Sequence, residues 1–140
     1  MTSRRKFIAD SCRGCLGLLG LSFIAQSCST SSNVFKTNAT NHVVFVPDTA
    51  FTSGLPNVKI RVPEMEFDIL LMKEDADYKA LYLKCTHEPF GLVQTNNKLV
   101  CTAHGSSFDM QGNVLQEPAS RPLKKFKTEK IPTGINIYLR

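Results

Sequence analysis

From His42 to Arg140 no segment sustains helical periodicity. The chain instead alternates short apolar or β-rich runs with turn formers: HVVFV, NVKIRV, EFDILLM, YKALYLKC, KLVC, GNVLQ, PLKKFKTEK and INIYLR. Pro47, Gly54, Pro56, Pro63, Pro89, Gly112, Pro118, Pro122, Pro132 and Gly134 punctuate them, and TNNK at 95–98 supplies Asn residues able to take the positive φ of a tight hairpin. This pattern predicts an all-β fold of antiparallel sheets, a sandwich or partly open barrel. A chain of 140 residues suffices for one ordinary domain and one small core.

The first 27 residues have the layout of an export signal: a basic start, an apolar run from Cys15 to Ala25, then small residues. That run is about half of the roughly twenty residues a spanning helix needs. Ser3-Arg4-Arg5-Lys6-Phe7-Ile8 resembles the twin-arginine export motif, with Ala9 where that motif often has Lys. The resemblance implies a route for proteins already folded around a cofactor.

Ile24-Ala25-Gln26-Ser27-Cys28 resembles the lipobox of bacterial lipoproteins, which implies acylation of Cys28 and attachment to a membrane surface outside the cytoplasm. Ala25, where Leu is usual, departs from that pattern. Cys12 and Cys15 fall inside the segment to be removed, so CRGC is read as without function. Residues 28–41 are polar and without periodicity and read as a flexible tether, with the folded domain over 42–140.

Charge narrows the partners. Of the net +5, the first 27 residues carry four basic groups against one acid. The remainder has 13 basic and 11 acidic groups, a residue of +2, too small and too interspersed for phosphate neutralisation on nucleic acid. KKFKTEK at 124–130 reads as the solvent side of a strand, with an acidic partner as the alternative use.

Cys85-Thr86-His87 and Cys101-Thr102-Ala103-His104 form two pairs, C-x-H and C-x-x-H, each ending a predicted strand. When the strands pair as a hairpin, four soft or borderline ligands meet at two adjacent loop tips. Zinc accepts two thiolates and two imidazoles, but zinc motifs often keep the cysteines in one pair and the histidines in the other. The mixed order suits a binuclear iron-sulfur cluster with unequal ends, both thiolates on one iron and both imidazoles on the other.

Here the chain resembles the Rieske [2Fe-2S] proteins, closely from Cys85 to about Leu123. Thr86, Gly105, Ser106 and Asp109 also match the wording C-T-H and C-x-x-H-G-S-x-Y/F-D, and EPASRPL after GNVLQ is similar to the proline-containing loop that covers the cluster. The resemblance implies Rieske-like antiparallel sheets with a two-loop cluster-binding subdomain and one [2Fe-2S] cluster per chain. It implies Cys85 and Cys101 as ligands of the inner iron and His87 and His104 as ligands of the outer, more exposed one. Imidazole donates less charge than thiolate, so the histidine-bound iron takes the electron and the potential lies above that of an all-cysteine cluster.

Four departures bear on function. Phe90 and Ala103 stand where respiratory members carry two further cysteines in a disulfide, so the loops are expected to be held by packing alone, with Phe90 filling space beside the cluster. Phe108 stands where high-potential members have Tyr, removing one hydroxyl, while Ser106 remains as a donor toward a bridging sulfide. Glu88 replaces the Leu beside the exposed histidine of quinol-oxidising members, and a carboxylate there hinders an apolar quinol. The 13 residues between His87 and Cys101 are also fewer than the family usually has.

The implied activity is one-electron transfer with a redox protein partner, a cytochrome or oxidoreductase subunit, within a larger oxidoreductase rather than independent catalysis. Two memberships follow as expectations: the iron-sulfur subunit of a quinol-cytochrome oxidoreductase, and the small subunit of a periplasmic molybdenum oxidase. Cytoplasmic Rieske ferredoxins, which feed ring-hydroxylating oxygenases, also often lack the disulfide but carry no export signal. A zinc-stabilised surface lipoprotein is the alternative from another class. His42, alone in a strand-like run, is read as structural.

Overall fold

A computed structural model describes residues 34–51, 54–75 and 77–140. The twin-arginine motif, Cys12, Cys15 and the lipobox Cys28 lie outside the described residues.

Twelve strands are described: β1 (Val34–Lys36), β2 (Ala39–Thr40), β3 (Val43–Pro47), β4 (Asn57–Arg61), β5 (Ile69–Lys73), β6 (Tyr78–Tyr82), β7 (Leu92–Thr95), β8 (Lys98–Cys101), β9 (Ser107–Asp109), β10 (Val114–Gln116), β11 (Lys125–Ile131) and β12 (Gly134–Tyr138). Eight of them form one sheet in the order β1-β4-β5-β6-β11-β12-β3-β2, and four form a second in the order β10-β9-β8-β7. Pairing is antiparallel except for β1 with β4. Among the described residues no helix is long and apolar enough to cross a membrane.

The expected all-β architecture is what the chain adopts, with two differences at the N-terminal side. Strands β1 and β2 fall within the segment read as a tether, so regular structure is already present at Val34, ahead of His42. Val34, Phe35 and Lys36 line up with Lys59, Ile60 and Arg61 of β4, and Phe35 packs on the core, which a tether would not do. His42 lies in the two-residue turn between β2 and β3 rather than in a strand. Both Asn41 (φ 51°) and His42 (φ 63°) are left-handed there, as the favoured hairpin turns require.

One small core was expected, whereas the buried side chains form two clusters divided by a shared wall. Side chains alternate along a strand, and β5 is apolar at four consecutive positions. Ile69 and Leu71 therefore enter a first cluster with Val44, Val46, Val58, Ile60, Ile135 and Ile137. Leu70 and Met72 enter a second with Leu83, Leu92, Leu99, Phe108 and both described cysteines. Strand β6 does the same with Ala80 and Leu81. The four-stranded sheet thus packs on the outer face of β5 and β6, and burial of each large side chain contributes roughly 1.5–3 kcal/mol to holding it there.

Candidate metal centre

Register brings the two Cys/His loops together. Cys101 ends β8 directly opposite Leu92 of β7, and the Leu92 N–H donates to the Leu83 carbonyl at 3.1 Å while Lys84 bridges Gly91. The first loop, Cys85 to Phe90, is therefore the tip of one antiparallel pair, and the second, Cys101 to Ser106, is the tip of the β8–β9 pair. The Asn96-Asn97 turn, with Asn96 at φ 49°, closes the opposite end of β7 and β8.

The two loops are closed in the same way. The Cys85 N–H donates to the Phe90 carbonyl at 2.8 Å, and the Cys101 N–H donates to the Ser106 carbonyl at 2.8 Å, five residues on in each case. Gly105, at φ 82°, makes the reversal after His104 that an L side chain resists. Both thiols are sheltered, with Cys85 3% and Cys101 1% exposed, and neither is in a disulfide. Both imidazoles face outward, with ring centroids 5.1 Å apart and planes at 87°.

A third segment is fastened across both loops. Thr86 Oγ1 donates to the Arg121 carbonyl at 2.6 Å, and the Ala119 N–H donates to Ser106 Oγ at 3.0 Å. Ala119 and Leu123 are buried in the same cluster as the cysteines. The loops are thus held by hydrogen bonds as well as packing, which corrects the expectation from the missing disulfide. Ser106 Oγ is fully buried, and accepting from Ala119 leaves its own proton free to donate. Two buried thiols, two exposed imidazoles and a buried hydroxyl donor fit the [2Fe-2S] group that the ligand order called for.

Ser106→Ala would strand the Ala119 N–H and release the covering segment. The expected loss is about 1–3 kcal/mol, read as a lower urea midpoint at unchanged slope.

The side chains at the departures occupy the rim. Phe90 is 45% exposed and sets its ring edge-on to His104 at 5.8 Å, so it flanks that imidazole at the rim. Ala103 is exposed, and Phe108 is fully buried. Glu88 Oε2 lies 3.8 Å from His104 Nδ1, and His87, Glu88 and His104 each present a ligand atom within 4.8 Å of the others. No local sequence signal foretold the Thr86 and Ser106 fastenings, whose partners lie 35 and 13 residues away.

Asp109 organises the turn behind the second loop. Its Oδ1 accepts from the N–H groups of Gln111 and Asn113 at 2.9 and 2.7 Å, and Oδ2 accepts from Asn113 Nδ2 at 2.9 Å. Burial works to raise its pKa, but the bonds from Asn113 and Gln111, with the charge of Lys125, hold it below the usual carboxylate range. The stability this contributes is present in full above the unfolded-state value of about 3.9 and is lost as pH falls through the lower folded value. Urea midpoints followed from pH 5 downward are expected to drop across that window, and Asp109→Asn to flatten the drop.

The Rieske [2Fe-2S] domain model matches residues 43–127. The cyanobacterial plasma membrane Rieske protein of Synechocystis PCC 6803 is 26% identical, with a TM-score of 0.55 over 67% of this chain and 97% of that one. A chain in the complex of reduced oxygenase and oxidized ferredoxin of carbazole 1,9a-dioxygenase is 14% identical, with a TM-score of 0.53 over 71% of this chain and 95% of that one. A quaternary ammonium Rieske monooxygenase in complex with L-carnitine is 15% identical, with a TM-score of 0.56 over 70% of this chain but 32% of the enzyme. The last two likenesses are of fold alone. No curated protein matches. Motif, loop geometry and family model agree, and the chain belongs to the Rieske [2Fe-2S] domain family, whose cluster makes it an iron-sulfur electron-transfer protein.

Proposed function

We propose that this chain is an exported, lipid-anchored one-electron carrier in which Cys85 and Cys101 hold the inner iron and His87 and His104 the outer one. The observation that carries the reading is the contrast in burial between the thiols and the imidazoles on two identically closed loops. When bound, the [2Fe-2S] group supplies reversible one-electron oxidation and reduction. The chain's own part is to shelter the thiolates, to present the imidazole edge to a partner, and to aim the Ser106 hydroxyl inward.

The partner best supported is a redox protein, such as a cytochrome or an oxidoreductase subunit. The Glu88 carboxylate beside His104 places charge where an apolar quinol would have to lie. The lipobox-like Cys28 and the plasma-membrane setting named for the cyanobacterial relative support a membrane-anchored, extracytoplasmic location.

Purified protein is expected to show iron-sulfide absorption and, after reduction, a Rieske-type EPR signal. Zinc with no visible absorption would overturn the reading. His104→Cys tests the ligand assignment: thiolate replaces neutral nitrogen, so a surviving cluster is expected to move from the Rieske range toward roughly −400 mV. An unchanged potential would remove His104 from the ligand set.

A further inference from the structure

Beside the first loop runs a groove of about 410 Å³, into which His87 opens and which Lys84, Arg121 and Lys124 line. The three cations come from different parts of the chain: the residue before Cys85, the covering segment, and the residue preceding β11. The Lys84 ammonium sits 5.5 Å over the Phe67 ring and 3.5 Å from Glu66, and that of Lys124 sits 4.8 Å over the Phe126 ring. These contacts place both charges. Among the described residues the Arg121 guanidinium has no ion pair. Glu88 also lines the groove, but its carboxylate lies 3.8 Å from His104 Nδ1 and pairs with none of the three cations. On the other flank of the imidazoles, Phe90 stands half exposed.

We propose that this basic groove, with the His87 edge and Phe90 beside it, is the docking surface for the acidic patch of a one-electron redox protein. The inference deepens the proposed function and rests on its assignment of His87 to the outer iron. Charge complementarity selects the partner: three cations in one groove attract and orient a carboxylate-rich surface and repel a basic one, while the exposed Phe90 ring adds apolar area on the other flank of the imidazoles. In the step that follows, the partner's oxidised centre accepts one electron across the His87 edge and the chain is left one electron more oxidised, with no bond made or broken.

The experiment is stopped-flow oxidation of the reduced full chain by an acidic plastocyanin, by basic cytochrome c and by ferricyanide. The plastocyanin rate constant is expected to exceed that with cytochrome c at low salt and to fall about tenfold between roughly 20 and 200 mM salt. A Lys84→Gln, Arg121→Gln, Lys124→Gln variant is expected to lose about tenfold at low salt with an unchanged visible spectrum, whereas Lys98→Gln, at the far end of β8, leaves the rate unchanged. An unaffected plastocyanin rate in the triple variant would overturn docking in this groove. So would an equal loss with ferricyanide, since a general field and not a surface would then be at work. A wild-type chain with no iron-sulfide spectrum would instead overturn the reading of the site, and docking with it.

Discussion

Cys101→Ser is expected to leave a folded chain without iron-sulfide absorption and with iron content near zero. The Cys101 side chain is 1% exposed, and its loop is closed through its N–H to the Ser106 carbonyl, a bond the substitution leaves in place. A serine hydroxyl stays protonated near neutral pH and is a hard, weak donor where ferric iron in a cluster needs thiolate. The fold itself loses about 1–3 kcal/mol for burying the hydroxyl, a part of the 5–15 kcal/mol typical of a domain. Far-UV circular dichroism and a urea midpoint separate the two effects. A variant that kept wild-type iron content and spectrum would remove Cys101 from the site.

The two Cys/His pairs stand out in the sequence because each is a cysteine and a histidine within three residues, so one loop carries both. The resemblance points to EPASRPL as a covering loop, but not to the bonds that fasten it. Thr86 reaches the Arg121 carbonyl and Ser106 holds the Ala119 N–H, contacts that depend on where the covering segment returns. The basic groove was hidden for the same reason. Lys84, Arg121 and Lys124 are single cations in their own stretches or part of a run that reads as a solvated strand, and folding alone gathers them around His87.

Strand positions were legible wherever apolar residues ran long enough to show a pattern, and KLVC fell on β8 with both ends correct. Strands β7 and β9 are faint in the sequence because LVQT carries a weak signal and SFD follows directly on His104-Gly105-Ser106, where glycine and serine suggest a loop. EFDILLM was legible as a strand but not as a wall: four buried residues in a row mean burial on both faces, which calls for two clusters rather than one.

The second cluster is where a single substitution has its largest effect on stability. Phe108 is the largest of the fully buried side chains and lies opposite Leu99 in the β8–β9 pair, beside the two thiols in the same cluster. Phe108→Ala removes its ring from contact with that cluster, and the flanking strands cannot collapse into the void without dragging the Cys101 loop with them. The expected cost is about 3–5 kcal/mol, or a fall in thermal midpoint of roughly 15–30 °C for a domain of this size. Val93→Ala on β7, where the side chain is 47% exposed, serves as the control and is expected to stay within about 0.5 kcal/mol. Because β5 and β6 separate the clusters, amide exchange in Phe108→Ala should accelerate first in β8 and β9, with Val44, Val46, Ile135 and Ile137 protected for longer. Uniform acceleration across both sheets would show that the shared wall transmits the loss and that the two clusters unfold as one.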